Sequence, residues 1–251
     1  MYRAIYYSLS TIKGELIMVK KVYIDPGHGG NDSGAIGINN LYEKNINIEV
    51  SKKVEKLLKK QGIEVRLSRS EDKTISLEDR VSDANSWGAD CFVSIHCNSF
   101  NGTANGIETY SHTSSTKDLA NYIHEELLKN KAYTKNRGVK TANFYVIRNT
   151  NMRACLIELA FIDNQEDYKI LTQKQEALAD GIARGICRYL NITYTPVDND
   201  VNKPITPIDN RDTLYRVVCG SYNNRLNAEK RIEELKEKGF NDAFIVIYKK
   251  E

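Results

Sequence analysis

From Lys20 to about Leu190 the chain alternates short apolar runs with longer stretches whose apolar residues recur at helical spacing. VYID is an apolar strand that ends in the glycine-rich turn PGHGG. Residues 43–60 read as a helix with Ile46, Val50, Val54, Leu57 and Leu58 on one face, and Gly62 stops it. IEVRLS is the next strand, SLEDRVSDANSWG a second helix, and DCFVSIHCN a central buried strand. GIETYS follows as a strand, then a helix from Lys117 to Lys129 carrying Leu119, Ile123 and Leu127. NFYVIR and ACLIELAFI read as further strands, and a final helix spans about Leu171 to Leu190. Such alternation predicts an α/β fold with helices on both faces of a sheet. Ligand sites in these folds gather beyond the carboxyl ends of the strands.

The pattern breaks twice. Residues 191–210, NITYTPVDNDVNKPITPIDN, hold three of the four prolines and no helical period, so they read as a linker. Beyond it, LYRVVCGSY, a helix from about Asn227 to Lys238 and AFIVIYK form one β-α-β unit in residues 211–251, a marginal size for an independent core. At the other end, Met18 opens the first clean strand, and Lys13-Gly14-Glu15 can be encoded by a purine-rich ribosome-binding sequence. Residues 1–17 are therefore expected to be a non-native extension, with residues 18–190 as the main domain.

Composition narrows the classes. The hydrophobic share of 41% and charged share of 27% are those of a globular chain, and a net charge of +3 is too small to argue for nucleic acid. No stretch has the length of a membrane span. The first residues lack the apolar core and cleavage site of a secretory signal, so synthesis in the cytoplasm without a signal peptide is expected. Cys91, Cys97, Cys155, Cys187 and Cys219 show no metal or redox spacing and lie in apolar runs, where free cysteine acts as a small hydrophobe.

Four residues carry candidate chemistry. His28 lies in the turn after the first strand, Glu43 begins the following helix, His96 lies near the end of the central strand, and Glu158 interrupts the run CLIEL. Singly, the first three have ordinary readings as a turn residue, a first-turn carboxylate and a core histidine. Alternation puts Ser94, His96 and Asn98 on one strand face and Val93, Ile95 and Cys97 on the other, which weakens the core reading of His96. Glu158 is costlier to explain, since an unpaired carboxylate in a buried strand loses several kcal/mol. Two imidazoles and one carboxylate with an open fourth position form a usual catalytic zinc shell, and a further carboxylate serves as proton carrier.

YIDPGHGGNDSGAIG, Glu43, SLEDRVSDAN, SIHCNS and MRACLIELAFIDN, in that order across about residues 20–190, resemble the zinc amidases of the N-acetylmuramoyl-L-alanine amidase type 3 family. The resemblance implies Zn2+ bound by His28, Glu43 and His96, with Glu158 as catalytic base. It also implies a mixed sheet of about six strands flanked by helices, and hydrolysis of the amide joining the lactyl group of N-acetylmuramic acid to L-alanine in peptidoglycan. Arg153, Ala160 and Cys97 stand where that family often has proline, glycine and alanine, changes expected to touch packing or substrate fit. The segment between His112 and Arg137 has room for one helix, so an autoinhibitory helix insert is not expected.

The last forty residues resemble one half of a sporulation-related peptidoglycan-binding repeat. A second copy of the same tail would supply the missing half, giving a homodimer through residues 211–251. Tyr215, Val217 and Cys219 would face Phe244, Val246 and Tyr248 beneath a helix stripe of Ala228, Ile232 and Leu235. The resulting expectation is a phage endolysin or a mother-cell sporulation autolysin that acts on the cell wall after the membrane is breached. Its partner is peptidoglycan, with neither nucleic acid nor membrane. A catalytically dead wall-binding protein and a zinc peptidase acting within the stem peptide are the competing classes.

Overall fold

The computed structural model describes residues 9–12, 15–129, 135–196, 223–240 and 243–245. The chain divides into two compact units, Met1–Asp198 and Asn199–Glu251.

In the first unit, β1 (Leu9–Ile12) and β2 (Glu15–Met18) pair as an antiparallel hairpin within the stretch read as an extension. The main sheet has six strands: β3 (Lys21–Pro26), β4 (Glu64–Leu67), β5 (Cys91–Asn98), β6 (Ile107–Ser111), β7 (Asn136–Thr141) and β8 (Arg153–Phe161). Their order is β4-β3-β5-β8-β6-β7, parallel throughout except where β6 runs antiparallel to β8. This is the mixed six-stranded α/β sheet that the alternation predicts.

One face of the sheet is mostly apolar, with Thr109 of β6 hydrogen-bonded to His124 as a buried polar exception. Val22, Ile24, Val93, Ile95 and Ile157 are fully buried there under α1 (Glu43–Lys60), α3 (Asp118–Lys129) and α6 (Gln175–Tyr189). The other face changes character along the strands. Near their starts, Tyr23, Phe92 and Leu156 pack under α2 (Leu77–Trp87) and the short α4 (Tyr145–Arg148). Towards the carboxyl ends the same face carries Asp25, Ser94, His96 and Glu158, because every second residue returns to it.

Two elements differ from the sequence reading. NFYVIR is not a strand: Tyr145–Arg148 make a single helical turn whose neighbouring residues Val146 and Ile147 both enter the Tyr23–Phe92 cluster. The sixth strand is instead Asn136–Thr141, an edge strand with no fully buried residue and hence no apolar alternation to read. The last helix is also two helices. Asn164 caps α5 (Gln165–Gln173) by accepting from the amides of Glu166 and Asp167, and the chain turns at Lys174 before α6. Among the described residues between His112 and Arg137 there is one α-helix, α3, as expected.

In the second unit the described residues form α7 (Arg225–Glu237), capped by the Asn224 side chain on the Leu226 amide. Ala228, Ile232 and Leu235 are half-buried on this helix, as are Glu229 and Arg231, and its other residues are exposed. The expected strand LYRVVCGSY, most of AFIVIYK, Cys219 and much of the 191–210 stretch lie outside the described residues. The other four cysteines are free and buried.

Candidate metal centre and its proton-transfer group

The turn after β3 places the first histidine. His28 adopts φ 60, a left-handed conformation that a non-glycine residue holds only when its surroundings impose it. Two buried arginines impose it here. Arg69 donates from Nε to the Pro26 carbonyl at 3.1 Å and from Nη2 to the carbonyls of Gly27 and Lys44 at 2.9 and 2.8 Å. Arg80 donates from Nη1 to Pro26 O at 2.8 Å and from Nη2 to His28 O at 2.9 Å. Its Nη1 also lies 2.5 Å from Asp25 Oδ1, and Asp25 accepts from the hydroxyls of Ser68 and Ser94 at 2.7 and 2.8 Å. Three successive carbonyls are thus held by guanidinium forks, whose fixed geometry no lysine reproduces.

Arg80→Met would leave the Asp25 carboxylate buried without its counter-charge and free the His28 carbonyl, leaving the Pro26 carbonyl to Arg69 alone. Breaking a buried pair in this way costs about 3–5 kcal/mol. Chemical denaturation should show a loss of that order; a change below about 1 kcal/mol would mean that the loop is held by other means.

Glu43, the first residue of α1, is 4% exposed. Its Oε2 accepts from Ala35 N at 2.8 Å, and its Oε1 accepts from Cys97 N at 3.0 Å. That Oε1 also lies 3.2 Å from His28 Nε2 and 3.0 Å from His96 Nδ1. The two imidazoles meet edge to face with centroids 4.9 Å apart. His28 Nδ1 contacts Asp32 Oδ2 at 2.8 Å, which orients the ring and leaves Nε2 pointing at Glu43. Gly27 makes room for this cluster: a Cβ there would stand 2.2 Å from the His96 ring.

One donor atom from each of His28, Glu43 and His96 lies within 4.8 Å of the others. Two imidazole nitrogens and a carboxylate so arranged fit a tetrahedral zinc shell with one position open. The local electrostatics favour a cation at this point. Burial opposes charging His28, yet Glu43 and Asp32 outweigh it and push its pKa up to about 9. Burial would likewise raise Glu43, but the two histidines hold it far below the ordinary carboxylate range.

Glu158 stands beside this cluster. It is the register partner of His96 across β5 and β8, so both side chains leave the same sheet face. Its Oε2 is buried and has no hydrogen-bond partner. Burial, with added repulsion from Glu43 and Glu108 and opposition from His96 and His28, brings its pKa up to about 7. A carboxyl poised there can hold or release a proton near neutral pH.

Of the four residues singled out from the sequence, His28, Glu43 and His96 converge and Glu158 stands in register beside His96. Asp25, Asp32, Arg69 and Arg80, which support them, were not singled out. Arg80 left one signal, its place on the apolar stripe of α2 one turn from Ala84 and beside Val81, both buried. Two of the three departures lie off the site, and the third, Cys97, adjoins it through the hydrogen bond from its amide to Glu43. Arg153 pairs with Asp118 at the start of β8, Ala160 is buried in the apolar core, and the Cys97 thiol packs against Asn47 Oδ1 at 3.6 Å.

A mixed α/β sheet with a two-imidazole, one-carboxylate cluster and an unpartnered carboxylate at its strand ends has the groups that metal-assisted hydrolysis needs. Comparison with known proteins supplies the bond. The N-acetylmuramoyl-L-alanine amidase family model matches residues 22–188, and a SPOR domain model matches residues 197–247. The chain belongs to the N-acetylmuramoyl-L-alanine amidase family. It is 37% identical over 233 residues to N-acetylmuramoyl-L-alanine amidase CwlM of Bacillus licheniformis, covering 90% of this chain and 84% of that protein. It is 35% identical to the sporulation-specific N-acetylmuramoyl-L-alanine amidase of Bacillus subtilis, with the same coverage of 90% and 84%. Among solved structures, the catalytic domain of CwlV from Bacillus (Paenibacillus) polymyxa superposes with a TM-score of 0.67 at 41% identity, over 70% of this chain and all of that one. The SPOR match begins inside the proline-bearing 191–210 stretch, ahead of the β-α-β unit that the sequence marks out.

Proposed function

We propose that this amidase works with one zinc ion held by His28, Glu43 and His96, and with Glu158 as its proton-transfer group. Its target is the amide between the lactyl group of N-acetylmuramic acid and L-alanine in peptidoglycan. Zinc in such a site supplies Lewis acidity, polarising a carbonyl and lowering the pKa of water towards about 7. Glu158 takes the proton of the attacking water on its free Oε2 and returns it to the departing alanine amine. Asp32 keeps the His28 ring turned inwards, while Arg69 and Arg80 hold the backbone beneath it. The observation that carries this reading is the convergence of three donor atoms within 4.8 Å, with an unpartnered carboxylate in register beside one of them.

Mass analysis of fragments from purified walls tests the bond cut. The expected products are free L-alanine amino ends and intact N-acetylmuramic acid; new ends within the stem peptide would assign the chain to a peptidase class instead.

Similarity to a sporulation-specific amidase through 90% of the chain, tail included, supports the autolysin role over the endolysin. Expression confined to the sporulating mother cell would accord with it, and expression only after prophage induction would reverse it. The tail, within the SPOR match, is proposed to hold the catalytic unit on peptidoglycan. A homodimer through the tail is proposed as well, from the strand edges that the sequence pattern of a unit of this size would leave unpaired. Sedimentation of the full chain should give twice the monomer mass; a monomer at high micromolar concentration removes the dimer. Among the described residues no helix is long and apolar enough to cross a membrane.

A further inference from the structure

Beside Glu158, on the side away from the two histidines, stands a charged group that the hydrolytic chemistry does not use. Glu108 on β6 is the antiparallel register partner of Glu158 and is 3% exposed. Its Oε1 accepts from Asn98 Nδ2 at 2.5 Å and from the Tyr110 hydroxyl at 2.9 Å. Its Oε2 accepts from Arg137 Nε at 2.9 Å and from Lys140 Nζ. Against the effect of burial, Lys140, Arg137 and Tyr110 hold this carboxyl below its ordinary range, so it is a fixed anion.

Two cations face Glu108, and Arg137 also lies in the field of the buried Asp167 carboxylate. Both cations come from the edge strand β7 and both reach solvent, with side chains 26% and 40% exposed for Arg137 and Lys140. Lys140 spends one of three ammonium donors on Glu108, and Arg137 bonds through Nε and Nη1 while its Nη2 has no hydrogen-bond partner among the described residues. The arginine is braced with its guanidinium 4.8 Å from the Phe161 ring centroid. Beside them Tyr110 and Phe144 meet edge to face at 5.2 Å. A rigid, half-buried platform whose two cations keep donors open to solvent is suited to a carboxylate.

We propose that Arg137 and Lys140 form the subsite for a free carboxylate on the second residue of the stem peptide, so that the enzyme prefers an acidic to an amidated residue there. This inference rests on the amidase reading above. Chemistry selects the peptide side: once its lactyl carboxyl is amidated, an N-acetylated glycan unit carries no charge, whereas stem peptides carry carboxylates. Spacing selects the residue. Glu158 on β8 and Lys140 on β7 are two strand spacings apart, about 10 Å, and Lys140 reaches back towards Glu108 on the strand between. One to two residues of extended peptide, at about 3.5 Å each, cover the remaining gap.

The test uses two N-acetylmuramoyl tripeptides that differ only in a free carboxyl or a carboxamide on the second residue. The full-length zinc enzyme should cleave the acid with kcat/KM about tenfold higher than the amide, chiefly through KM, as a charge-assisted contact predicts. Lys140→Met should bring that ratio close to one by raising KM for the acid, while Lys140→Arg keeps a preference. Zinc content and thermal midpoint report whether each variant is folded. No preference in the wild type, or the same ratio in a folded Lys140→Met, would overturn the subsite. So would a shift of the kcat–pH profile with the ratio intact, which would make the pair a positioning device for Glu158. If neither tripeptide is cut by an enzyme that still lyses walls at another bond, the amidase reading fails and this inference falls with it.

Discussion

Replacing Glu158 by glutamine is expected to lower turnover about a hundredfold or more while leaving zinc and fold in place. The substitution keeps the size of the side chain and removes only its capacity to accept a proton, and positioned acid–base groups contribute on that scale. Retention of the metal follows from the geometry. Glu158 is adjacent to His96 through strand register but is not among the three donors that converge, and its Oε2 holds no hydrogen bond whose loss would unfold the strand. Relief of a buried, repelled carboxylate even predicts a slight gain in stability, because the charge next to Glu43 and Glu108 disappears. Turnover of purified wall, metal analysis and thermal unfolding of the variant measure the three effects. A Glu158→Gln protein that loses its zinc would move this residue into the metal shell.

The ligands should behave in the opposite way. On the proposed assignment His28→Ala or His96→Ala would remove one of three bonds of about 2 Å to the metal, and activity and zinc should disappear together. The loss in affinity should exceed the roughly 10–100-fold that removal of an outer partner such as Asp32 costs. In the wild-type protein a chelator should abolish lysis, and added zinc should restore it. Titration calorimetry with zinc on each variant gives the affinities. An alanine variant at either histidine that binds zinc as the wild type does would exclude that residue from the site.

The central site was legible because its residues break patterns that the surrounding chain keeps. His96 and Glu158 put titratable groups into strands that are otherwise mostly apolar, and His28 sits in a glycine-rich turn at a strand end. What holds them was not legible. Arg69 and Arg80 act on backbone carbonyls, which carry no residue identity and so leave no spacing to recognise. Likewise β7, which carries Arg137 and Lys140, is an edge strand with no fully buried residue, so it lacks the buried alternation that betrays β5 and β8. NFYVIR misled for the complementary reason. Its apolar residues are adjacent because one helical turn covers the Tyr23–Phe92 cluster, where strand alternation would have exposed one of the two.

Metal content and wall hydrolysis measured side by side for the wild type, His96→Ala and Glu158→Gln test the account most directly. It predicts one zinc per chain and full activity in the wild type, neither in His96→Ala, and zinc without turnover in Glu158→Gln. Full activity in a metal-free preparation of the wild type would contradict it.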